Sequence, residues 1–69
     1  MQGILIYNGT RPDIAFDNGR LLGGLHCGDC FLCQLEGNWL NVRLELQKDW
    51  LLVSNNQTYP VPYGARVEI

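Results

Sequence analysis

Between Cys30 and Val53 the chain reads CFLCQLEGNWLNVRLELQKDWLLV, with apolar residues at alternate positions on either side of two short polar breaks. A period of two is the mark of half-buried strands, because successive side chains leave opposite faces of the pleat. No window carries the spacing of an amphipathic helix. The stretch therefore predicts a three-strand antiparallel meander and limits the chain to an all-β fold.

The register follows from the reversals. Gly37-Asn38 suits a two-residue type II′ loop, which takes Gly first, and pairs Leu35 with Leu40, Cys33 with Val42 and Phe31 with Leu44. A three-residue loop over residues 36–38 would instead oppose Phe31 to Arg43 and mix the faces. Treating Lys48-Asp49 as a second two-residue reversal pairs Leu46 with Leu51 and Leu44 with Val53. One face then collects Phe31, Cys33, Leu35, Leu40, Val42, Leu44, Leu46, Leu51 and Val53, the predicted core. The opposite face carries Leu32, Trp39, Arg43, Glu45, Trp50 and Leu52.

Asn8-Gly9 and Asn18-Gly19 read as type I′ hairpin turns, which need positive φ at both central residues. They predict strands over residues 4–7, 13–17 and 20–25, with Pro12 at an edge or bulge and Gly23-Gly24 at a bend or close backbone approach. Residues 54–57 read as a loop. Pro60 and Pro62 keep the following segment extended, Tyr63-Gly64 turns it, and residues 65–69 form a last strand returning to an early one. Turn signals roughly every ten residues predict a small antiparallel meander curled into an SH3-like barrel, one domain over residues 1–69.

A core is affordable because 46% of the residues are hydrophobic and only 17% are charged. Five basic residues face seven acidic ones, a net charge of −2 with no run of either sign. Nucleic-acid binding draws on clustered Lys and Arg to displace counterions, so this distribution argues against it. The apolar run at residues 4–7 is too short for a signal peptide or a membrane span and lacks a basic flank, so a cytoplasmic protein is expected. In that compartment the odd set of three cysteines is expected as free thiols.

His26-Cys27-Gly28-Asp29-Cys30-Phe31-Leu32-Cys33 offers a Cys-x-x-Cys-x-x-Cys beside the sole histidine, the ligand types of a zinc site. Geometry opposes it, since Cys30 and Cys33 on one strand point to opposite faces and no second knuckle exists. A thiol or metal site from His26, Cys27 and Cys30 is the alternative reading. Thioredoxin-like chemistry would need a helix N-terminus that this pattern lacks. No residue set has the spacing of a reaction centre, so neither catalysis nor a cofactor is expected. The second face of the meander is the better candidate: Trp39, Arg43, Glu45 and Trp50 have the composition of protein-binding hot spots. The N-terminal hairpin must also pack somewhere, and laying it over that face would bury the tryptophans as a second layer.

Leu25-His26-Cys27-Gly28-Asp29, then Gly37-x-Trp39, Arg43-x-Glu45, Trp50-x-Leu52-Val53 and Val67-x-Ile69, together resemble an uncharacterised family of small Gram-positive bacterial proteins. That family is classed only as a domain of unknown function and is often associated with mobile elements. Cys33, Leu51 and Ser54 depart from it, standing where an aliphatic residue, Tyr and Gly are expected. The resemblance implies no activity; it marks Trp39, Arg43, Glu45 and Trp50 as positions of interest. The expectation is a non-catalytic module with an unidentified protein partner, in the role of a mobile-element accessory; the alternatives are the thiol or zinc protein and a small nucleic-acid-binding barrel.

Overall fold

The computed structural model describes all residues, Met1–Ile69. Its seven strands are β1 (Gln2–Tyr7), β2 (Pro12–Phe16), β3 (Cys30–Leu35), β4 (Asn38–Leu46), β5 (Trp50–Ser54), β6 (Gln57–Pro60) and β7 (Arg66–Glu68). They form one antiparallel sheet in the order β2-β1-β7-β3-β4-β5-β6. The all-β expectation holds and the closed barrel does not. The last strand returns to β1, as expected, yet it also pairs with β3 and so lies mid-sheet, where it splices the N-terminal hairpin to the meander. The sheet ends at β2 and β6 are left unjoined. Residues 20–25 run beside β2, through the Ala15–Leu21 bridge and bonds from Leu22 N to Ile14 O and Leu25 N to Pro12 O. At the other end β6 is four residues long and carries Pro60, whose missing N–H blunts the edge.

The turns depart instructively from the sequence reading. Neither Asn-Gly pair makes a type I′ turn, since positive φ falls on Gly9 and Gly19 but not on Asn8 or Asn18. Asn8 instead folds its loop with its side chain, Oδ1 accepting from the N–H groups of Thr10 (2.9 Å) and Arg11 (3.1 Å). Asn18 likewise accepts from Arg20 N, within a three-residue loop closed by Phe16 N to Arg20 O. The hairpin loops made of two positive-φ residues are Glu36-Gly37 (φ 50° and 81°) and Asn55-Asn56 (51° and 63°), each joining adjacent strands.

These turns set the faces. With Glu36-Gly37 as the loop, Leu35 pairs with Asn38, Cys33 with Leu40 and Phe31 with Val42. That is a slip of two from the expected register, which preserves every side chain's face. The β4–β5 loop holds three residues, 47–49, so Leu46 meets Trp50 and Leu44 meets Leu52. This slip of one turns β5 over. Leu52, fully buried, takes the core position expected of Leu51 and Val53, and Trp50 moves to the core side. Leu46, expected inside, is half exposed at the hairpin end.

The core is Leu5, Ile14, Leu25, Phe31, Cys33, Leu35, Val42, Leu44, Leu52 and Val67, with Leu40, Trp50 and Tyr59 packed at its margin. Both halves of the sheet contribute to this one inner face, so the N-terminal hairpin lies edge-on in the same sheet and does not cover the outer face of the meander. Gly3 permits the close approach of β1 and β2: a Cβ there would sit 2.5 Å from Ala15 O.

Candidate functional site

Three polar constellations stand out. The first is the corner His26–Asp29. Asp29 N donates to His26 O (3.0 Å), and the Asp29 carboxylate accepts from His26 N (2.8 Å), closing a turn centred on Cys27 and Gly28. Gly28, at φ +90°, donates to Leu44 O (2.7 Å) and thereby docks the corner on β4. Leu25, just before it, is fully buried. The sequence Leu25-His26-Cys27-Gly28-Asp29 is thus accounted for as an anchored turn. Its His26 ring is exposed, with Nδ1 3.8 Å from Asp29 Oδ2, and Cys27 and Cys30 are exposed free thiols. No group of three or more His, Cys, Asp or Glu side chains is arranged to hold a metal ion, so His26, Cys27 and Cys30 do not converge as three ligands of one ion. Cys33 is in the core, where burial pushes its thiol up to about 11 and keeps it protonated at neutral pH.

The second constellation was invisible in the sequence. Asp13 is only 1% exposed, and its Oδ1 accepts from the backbone N–H groups of Ile14 (2.8 Å), Gly23 (3.0 Å) and Gly24 (2.9 Å). Its Oδ2 accepts from Asn8 Nδ2 (3.2 Å). Gly23 and Gly24, at φ +103° and +109°, turn their N–H groups onto the carboxylate. Burial by itself pushes this carboxyl up; the hydrogen bonds from Gly24, Asn8, Ile14 and Gly23 outweigh it and hold the group below the usual carboxylate value. Every bond lies inside the chain, so Asp13 is a structural carboxylate. The expected bend at Gly23-Gly24 was the available signal, but nothing in the sequence linked it to Asp13.

The third is the outer face of β3–β5. Trp39 stands opposite Gln34 and is 42% exposed. Two and four residues on, Asn41 and Arg43 share its face, and Arg43 lies between Cys30 on β3 and Val53 on β5. Arg43 Nε donates to Glu45 Oε2, its neighbour two residues along the strand. Half-buried Leu32, Leu51 and Val53 fill the spaces between these polar groups. A shallow, solvent-open depression of about 570 Å³ lies at one end, lined by Cys30, Asn41, Arg43, Val53, Asn55 and Asn56 among others. Trp39, Arg43 and Glu45 are therefore brought onto one face, and Trp50 is not among them. Trp50 sits on the inner side under Arg11, whose Cζ is 5.7 Å from the ring centroid while Nη1 donates to Leu25 O (3.3 Å). There it is held by packing against the core and by cation–π attraction to Arg11.

The crystal structure of a protein from Ruminococcus gnavus superimposes on the whole chain with a TM-score of 0.81 and 39% sequence identity, all of both chains being covered. Among curated proteins, none matches. The family model described as a domain of unknown function, DUF5348, matches residues 3–69. With nearly every residue from β1 to β7 inside that match, the chain belongs to the DUF5348 family.

Proposed function

We propose that this protein is a non-catalytic, cytoplasmic interaction module that docks a protein partner on the outer face of β3–β5. The observation that carries this reading is the uncovered state of that face: Trp39 is 42% exposed beside Arg43 and half-buried Leu32, Leu51 and Val53. Trp and Arg, set in an apolar surround that excludes water, are the residue types that dominate binding energy at protein interfaces. The non-catalytic part draws support from the titratable groups. Asp13 is consumed in the fold, Asp17 pairs with Arg66, Glu68 with the N-terminal amine, and exposed His26 has its Nδ1 toward Asp29. A role as an accessory of a mobile element extends the same reading and rests on the family resemblance.

A photoreactive residue in place of Gln34, opposite Trp39, tests the proposal in native cells against a control at exposed Leu21. The expected outcome is one partner cross-linked from position 34 and not from 21, whose purified form binds the wild-type chain and binds Trp39→Ala at least about tenfold more weakly. Equal cross-linking at both positions, or unchanged binding by Trp39→Ala, overturns it.

A further inference from the structure

Resting on that docking reading, we infer that the depression lined by Arg43, Asn41, Asn55 and Asn56 is a receptor for a single carboxylate, an Asp or Glu side chain presented by the partner. Two arginines on the outer face make the point by contrast. Arg66 spends both terminal nitrogens inside the chain, Nη1 and Nη2 donating to Asp17 (2.9 Å each) and Nη2 also to Gln2 (2.9 Å). Arg43 uses only Nε, toward Glu45, and its Nη1 and Nη2 make no hydrogen bond within the protein. Glu45 is fixed by strand geometry two residues along, so it braces the guanidinium and leaves the planar fork open.

Arg43 lines the depression together with residues that carry further donors. Asn41, Asn55 and Asn56 line the same depression, and their side-chain amides form no hydrogen bond inside the chain. Asn55 and Asn56 hold left-handed backbone in a two-residue turn, which fixes where their side chains start. Val53 supplies apolar floor between them and Arg43. A guanidinium fork accepts carboxylate and phosphate alike. Glu45 decides between them, since a dianion would meet about twice the repulsion a monoanion does from that carboxylate. A lone, half-exposed charge contact is weak, so the site contributes register within the larger interface and on its own binds on the order of millimolar.

The test uses NMR titration of the full chain with a terminally blocked Gly-Glu-Gly peptide, its Gly-Gln-Gly counterpart and inorganic phosphate. Saturable shifts of the 41–43 and 53–56 amides with the Glu peptide are expected. The Gln peptide and phosphate should give far smaller ones, and Arg43→Gln should bind roughly tenfold more weakly with unchanged thermal unfolding. Equal responses to the Glu and Gln peptides, stronger binding of phosphate, or binding that survives Arg43→Gln would overturn the assignment. The two proposals separate on the cross-linked partner. Loss of binding by Trp39→Ala but not by Arg43→Gln sinks the carboxylate receptor and leaves the docking face standing, whereas indifference to both substitutions sinks both.

Discussion

The N-terminal hairpin and the meander reach the same inner core by different means. The meander, β3–β6, is held by alternation: Phe31, Cys33, Leu35, Val42, Leu44 and Leu52 line one face, and tight turns fix their register. The N-terminal part needs a polar device as well. Residues 20–25 have no regular ladder with β2, and their backbone is gathered onto the Asp13 carboxylate. The difference teaches that a small sheet can be specified by apolar pattern where its strands pair continuously, and by one buried carboxylate where they cannot.

The largest test of this contrast is Asp13→Ala. It strands two buried backbone N–H groups, the part-buried N–H of Gly23 and the Asn8 amide, which should cost roughly 3–5 kcal/mol in urea unfolding. That is comparable with the whole stability of a chain this size, on the order of 0.1 kcal/mol per residue. Asp13→Asn should cost less but not nothing. Asn8 Oδ1 is committed to Thr10 and Arg11, so Asn8 cannot flip to accept from a new amide.

Next in size is the pair Leu52→Ala and Leu51→Ala. The first should lose about 2–4 kcal/mol and the second under about 1 kcal/mol, reporting which β5 face is inside. A reversed order would restore the two-residue loop at Lys48-Asp49 that the alternation alone suggests.

A smaller effect is pH dependence. The folded-state carboxyl of Asp13 is held below its unfolded value, so its contribution is complete above the unfolded pKa of about 4 and is lost as pH falls through the lower folded value. Urea midpoints should therefore fall on acidification, and Asp13→Asn should flatten part of that slope. Smallest of all, Trp39→Ala on the outer face should shift stability by under about 0.5 kcal/mol, whereas Trp50→Ala, which strips the cover under Arg11, should cost visibly more. Equal losses at both tryptophans would show that the outer face is packed in solution.

Legibility in the sequence divides along the same line. The all-β class, the faces of β3 and β4 and the return of the last strand were readable because period-two alternation survives a slip of two. The face of β5 was not, because it hinges on whether the loop holds two residues or three, and Gln47-Lys48-Asp49 accommodates either. Of the candidate site, Trp39, Arg43 and Glu45 were readable as one surface, while Trp50 was carried off it by that one-residue slip. Asn55 and Asn56 were read only as loop, although Asn tolerates left-handed backbone better than other residues with side chains, because the turn preference of Asn-Asn is weaker than that of Asn-Gly. The Asp13 cradle joins residues ten and eleven positions apart through backbone atoms, and no side-chain pattern encodes such a bond.

One consequence of β7 concerns synthesis. Its three residues pair with β1 on one side, and two of them, Val67 and Glu68, pair with β3 on the other, bringing residue 2 opposite residue 68. Until Arg66–Glu68 leave the ribosome, the hairpin and the meander each present an open ladder with nothing to pair. Contacts between such distant residues close slowly, on the milliseconds-to-seconds scale of all-β domains. The nascent chain thus passes through an interval in which two unpaired edges await one short strand, the kind of exposed ladder that makes incompletely folded chains prone to aggregate.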